Sequence, residues 1–89
     1  MKLTKENYKN VYKSKLISIE KMKSQGYEYI ENLFVDSSGF GREDEPAMTI
    51  PYFEKYLLSL LEKHGTLYSA ITSAGQFQVN IGIYTKKHD

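Results

Sequence analysis

The chain contains no cysteine and no tryptophan, and only two prolines and two histidines. The missing cysteines exclude disulfides, thiolate zinc sites and cysteine nucleophiles together. His64 falls at the end of an apolar helical pattern and His88 lies near the chain end. No Ser–His–Asp arrangement can be argued from that spacing, and no catalytic residue is assigned. No apolar run approaches the ~20 residues of a membrane span. MKLTKENYKN opens with basic residues but no apolar stretch follows, so no signal peptide is read. The expectation is a cytoplasmic protein without a membrane partner.

What is present is the mix of an ordinary small globular protein. Eighty-nine residues make a single domain, 1–89, that buries about two-thirds of its unfolded surface. Charge is unevenly spread. Residues 1–26 hold seven lysines against Glu6 and Glu20, residues 27–54 hold Arg42 against seven acids, and residues 55–89 are mildly basic. The total of +1 is low for a chain that binds nucleic acid over its whole surface.

Periodicity places the elements. Thr4 to Gln25 reads as one amphipathic helix, with Tyr8, Val11, Tyr12, Leu16, Ile19 and Met22 in one arc and Lys5, Lys9 and Lys13 on a flank. Tyr27 to Asp36 contains a strand over its later half, followed by a loop from Ser37 to Met48. Thr49 caps a second helix to His64, with Pro51 in its first turn, Gly65 at its end and a stripe of Ile50, Phe53, Leu57, Leu60 and Leu61. Leu67–Ser73 and Gln76–Tyr84 form a hairpin about Ala74-Gly75, with Phe77, Val79, Ile81 and Ile83 inward and Gln76, Gln78 and Asn80 outward. The expected fold is α+β, in the order α-β-α-β-β: a three-stranded mixed sheet, its first strand parallel to the second, with two helices on one face. The final strand would be an edge able to pair with a second copy, giving a homodimer.

Two places attract a functional reading. Ser37, Ser38, Gly39, Phe40, Gly41 and Arg42 leave the end of the first strand, where ligands gather in α/β folds. Glycines and serines there can turn backbone N–H groups toward an anion, and Arg42 can fork onto phosphate or carboxylate. The alternative is a connector in which Phe40 plugs the core and Arg42 pairs with Glu43, Asp44 or Glu45. Neither a P-loop nor a GxGxxG fingerprint is present. Asp36, Glu43, Asp44 and Glu45 lack the alternation of an EF-hand, so they read as a solvated acidic loop facing the lysines of the first helix, and no metal or cofactor is assigned. The second place is the uncharged face of Gln76, Gln78 and Asn80, with Tyr68 and Thr72 as neighbours, whose amides both donate and accept.

VDSSGFG at 35–41, EDEPAMT at 43–49 and GQFQVNIG at 75–82 resemble small uncharacterised proteins encoded by bacteriophages and mobile elements. The resemblance implies an accessory protein of the host-cell cytoplasm that binds a host protein or defence component and changes its activity. The leading expectation is therefore a non-enzymatic binding protein that recognises its partner through Ser37–Glu45 and the outward hairpin residues. A phosphate-bearing small ligand such as a nucleotide, held by Ser37–Arg42, is the second. Nucleic acid bound by Lys5, Lys9 and Lys13 is the third.

Overall fold

The structure is a computed structural model and describes residues 1–36, 39–42 and 44–86. Among them six strands form one sheet: β1 (Lys2–Leu3), β2 (Tyr27–Asp36), β3 (Gly39–Arg42), β4 (Glu45–Met48), β5 (Leu67–Ala74) and β6 (Gln78–Lys86). Their order is β1-β5-β6-β2-β3-β4, and every neighbouring pair is antiparallel. A 3-10 helix (Tyr8–Lys13) and two α-helices, α1 (Ile19–Ser24) and α2 (Ile50–His64), complete the fold.

This overturns the expected three-stranded mixed sheet and its α-β-α-β-β order. β2 and β5 do run in the same direction, but β6 lies between them and pairs with both, so no parallel strand pair forms among the described residues. The final strand is thus central rather than an edge. Gly39–Arg42 and Glu45–Met48, expected as loop, are strands that extend the sheet beyond β2.

The expected first helix is broken for a reason visible in β5. Ile17 N–H donates to Ile71 O at 3.0 Å, and Ile71 N–H donates to Lys15 O at 2.8 Å. Extended backbone at Lys15–Ile17 satisfies the outer edge of β5, which a helix there would leave bare. Asn7, Asn10 and Ser14 are weak helix formers, and Asn10 leaves helical geometry (φ −98°, ψ 22°). A new helix starts only where Ser18 Oγ accepts from Lys21 N–H at 3.2 Å. The row of lysines expected at Lys5, Lys9 and Lys13 therefore does not form an α-helical stripe.

The two α-helices cover opposite faces of the sheet. α2 lays Phe53, Leu57, Leu60 and Leu61 on Leu33, Leu67, Ile81 and Ile83, with Val11 of the 3-10 helix beside them. Each fully buried aliphatic or phenyl side chain there contributes about 1.5–3 kcal/mol. Thr49 Oγ1 caps α2 by accepting from Tyr52 N–H at 3.3 Å, while Ile50 stays mostly exposed. On the other face Met22 of α1 packs on Ala70 and Tyr84, ringed by Ile17, Tyr27, Tyr29 and Tyr68. The arc of apolar residues read as one helix face thus serves both faces. A buried hydroxyl pair, Ser14 Oγ and Ser69 Oγ at 2.5 Å, joins the 3-10 segment to β5.

Candidate functional site

A bulge in β2 decides where charge enters the α2 face. Tyr29 stands opposite Tyr84, but Glu31 stands opposite Ile83, so the strand gains a residue and its parity reverses. Tyr29 then faces α1, whereas Glu31, Leu33 and Val35 face α2. Arg42, paired in register with Leu33, shares that face. Its Nε donates to Glu31 Oε1 at 3.1 Å, and its guanidinium lies 4.8 Å from the centre of the Tyr56 ring. Tyr56 Oη donates to Glu31 Oε2, and Arg42 also approaches Asp44 Oδ2 (3.7 Å) and Glu45 Oε1 (3.9 Å). Tyr52 Oη donates to Glu45 at 3.3 Å.

The electrostatics of this cluster are those of a clamp. The hydrogen bond to Glu31 raises the Arg42 pKa, so the guanidinium is a fixed cation. Burial, then the bond to Glu31, pushes the Tyr56 hydroxyl well above its ordinary value, which keeps it a donor. Glu31 is held by two donors at once and ties β2, β3 and α2 together. Beside the clamp, Tyr52, Lys55, Tyr56 and Ser59 line an open cleft of about 310 Å³. No group of three or more His, Cys, Asp or Glu side chains among the described residues is arranged to hold a metal.

The more open feature lies at the other end of the α2 face. β2 and β6 continue past the last residues that α2 covers, and Tyr12, Val35, Phe40, Ile71, Ala74 and Val79 line an apolar groove of about 440 Å³. Phe40 closes one side by stacking on Phe53, ring centres 4.4 Å apart. A second cleft of about 280 Å³ shares Val35 and Val79 with it and runs under the turn Gly75-Gln76-Phe77. Among the described residues five large apolar side chains are exposed: Tyr12, Leu16, Ile50, Tyr52 and Phe77. Three of the five border this end. Tyr12 lines the groove, Leu16 bridges Ile71, and Phe77, 77% exposed, lines the adjoining cleft.

The residues singled out from sequence fall in three places. Ser37 and Ser38 lie outside the described residues. Gly39 opens β3 opposite Asp36 at φ 131°, where a side chain is strained and a Cβ would stand 3.3 Å from Met48 O. Phe40 faces the core, Gly41 is buried opposite Phe34, and Arg42 is held by Glu31, Asp44 and Glu45 rather than turned outward. The acids at 44 and 45 thus meet Arg42 and not the lysines, of which Lys9 pairs with Glu54 at 3.9 Å. Glu43 is outside the described residues.

Gln78 and Asn80 do share the face opposite α2, but Gln76 is in the turn and Phe77, expected inward, is solvent-exposed. Asn32, not foreseen, completes an amide network. Asn80 Oδ1 accepts from Asn32 Nδ2 (3.0 Å) and Gln78 Nε2 (3.4 Å), while Asn80 Nδ2 donates to Ser73 Oγ (3.0 Å). Thr72 Oγ1 lies 3.4 Å from Asn32 Oδ1. Tyr68 is on this face too, but at the α1 end, edge-on to Tyr27. Its amides largely engage one another. His64 is exposed at the end of α2.

What sequence reasoning missed is the groove, because its floor comes from three strands and its rim from the segment read as helix. Phe77, an aromatic within a glycine-bearing turn, was the one local signal. Among the described residues no helix is long and apolar enough to cross a membrane. Searches of family models, of characterised proteins and of solved structures found no match to the chain.

Proposed function

We propose that the chain is a non-enzymatic binding protein that docks a partner protein on the open end of its α2 face and modulates it. The observation that carries this reading is the apolar groove bordered by Tyr12, Leu16 and Phe77. Exposed apolar side chains scattered singly need no explanation, but a contiguous set around a concavity marks an interaction site. Aromatic residues supply large contact area at low entropic cost. The resemblance to phage and mobile-element proteins makes host and defence proteins of the cytoplasm the first partners to seek.

Capture from a host lysate, with cross-linking and mass spectrometry to identify the partner, tests this. Leu16→Asp with Phe77→Asp should abolish capture of that partner while the melting temperature stays close to wild type, because both side chains are exposed. Capture unaffected by the double substitution contradicts the reading.

A further inference from the structure

We infer that Arg42 is a positioning residue for the groove: by gripping Glu31 and Tyr56 it holds the groove wall formed by Phe40 in place. The inference rests on the binding reading above for its consequence and on the geometry of β3 for its cause.

Arg42 does not line the groove, whereas Phe40, two residues earlier on β3, does. Regular pairing with β2 sets Phe40 opposite Val35 and Arg42 opposite Leu33. Both side chains therefore face α2, about 7 Å apart along the strand. α2 meets them with Phe53 and Tyr56, three positions apart and so neighbours on one face of the helix. Phe40 stacks on Phe53 with ring centres 4.4 Å apart, and the Arg42 guanidinium lies 4.8 Å from the centre of the Tyr56 ring. Two contacts fix the direction of a strand against a helix. One contact leaves it free to pivot.

The second contact matters because little else steadies β3. Of its four residues, Gly39 and Gly41 offer no side chain to pack, and glycine weakens a strand. Its outer neighbour β4 ends the sheet among the described residues and pairs with β3 across an irregular register. Among the described side chains of the two strands, only Phe40 and Met48 join the apolar core. The Arg42–Glu31 pair is the strong half of the clamp. Its side chains are only 25% and 19% exposed, whereas Asp44 is 78% exposed and adds little. Without that pair, Phe40 keeps one hold, on Phe53, and the groove loses a fixed wall.

Methyl NMR of the free protein tests the cause. Val35 and Val79 line the groove with Phe40, and the ring current of Phe40 makes their methyl shifts report its position. Arg42→Gln should move both resonances under conditions where the variant is folded. Glu31→Gln, which breaks the clamp from the other side, should move them in the same direction. In a Phe40→Leu background Arg42→Gln should move them little, since the wall through which it acts is gone. Arg42→Lys keeps the charge but not the planar fork or the stack on Tyr56, and should restore them only in part. Lost stability alone does not shift the resonances of the folded state. Methyls that stay in place in both clamp variants therefore give Arg42 a merely structural role and overturn the inference. Equal shifts with and without Phe40 overturn it too.

The consequence is read on the partner identified by capture. Arg42→Gln should raise its Kd about 10-fold, and the effects of Arg42→Gln and Phe40→Leu should add to less than their sum. Shifted methyls with unchanged affinity overturn the claim that Arg42 serves binding. The groove reading itself fails separately, if capture ignores Leu16 and Phe77.

Discussion

The ring of Tyr84 lies directly against Gly82, two residues earlier on β6, so that a Cβ at position 82 would stand 2.7 Å from the tyrosine oxygen and 3.0 Å from Cε2 and Cζ. Tyr84 is fully buried, with Tyr29 and Tyr27 edge-on at 5.7 and 6.4 Å, so the ring has no room to swing aside. Gly82→Ala should cost about 1–3 kcal/mol, as overpacking of a filled core does. At roughly 4–8 °C per kcal/mol for a domain this small, thermal melts will resolve it.

The same contact makes a second, opposite prediction. The Tyr84 hydroxyl is buried and meets no hydrogen-bond partner among the described residues, and burial raises its pKa. An unpartnered buried hydroxyl destabilises the folded state. Tyr84→Phe should therefore leave the melting temperature unchanged or raise it, and should recover part of the loss caused by Gly82→Ala. A fall of several degrees in the single variant would contradict this packing.

Tyr56 gives the chain a pH signature. Its folded pKa lies above the ordinary tyrosine value of 10.0, chiefly through burial and then through its bond to Glu31. Above about pH 10 the unfolded chain releases a proton that the folded chain retains, so stability falls as pH rises. It is fully present below that pH. Urea titrations at about pH 9 and about pH 11 should show the decline, and Tyr56→Phe should lessen it, leaving the part that comes from the raised pKa values of Tyr84 and Tyr52. Because it removes a donor to a carboxylate, that variant should also cost about 1.5–3 kcal/mol at neutral pH. An unchanged alkaline slope would show that Tyr56 titrates normally.

Ser14 and Ser69 test the segment that replaces the expected helix. Ser14 Oγ is 2.6 Å from Val11 O and 2.5 Å from Ser69 Oγ, inside the α2 face. Ser69→Ala should cost about 1 kcal/mol, the usual net value of one hydrogen bond. Ser14→Ala should cost more, since it also removes the hydroxyl's bond to Val11 O and leaves that carbonyl only the Ser14 backbone N–H at 3.2 Å. Equal effects in denaturant melts would mean that the pair does not anchor the 3-10 segment.

How much of this was legible follows the range of each interaction. α2 was readable because Thr49, Pro51, the Phe53–Leu61 stripe and Gly65 all lie within one helix and agree. The β5–β6 hairpin was readable for the same reason, although its turn extends through Phe77. The first 26 residues were not, because the hydrogen bonds that hold Lys15–Ile17 extended come from Ile71, more than fifty positions away. Nor does any local pattern announce the bulge before Glu31, which separates Tyr29 from Leu33 and Val35 although all three share one parity. Arg42 shows the same limit within the candidate site. Adjacent acids were visible in sequence, whereas Glu31 and Tyr56, which fix its orientation, arrive only through the sheet register and α2.

The central claim is that recognition occurs at the open end of the α2 face, and chemical-shift mapping of the labelled chain against its captured partner tests it most directly. The account predicts that perturbations cluster at Tyr12, Val35, Ile71, Ala74, Phe77 and Val79. Perturbations confined to Asn32, Gln78 and Asn80 on the opposite face, or to the Tyr52–Ser59 cleft, would contradict it.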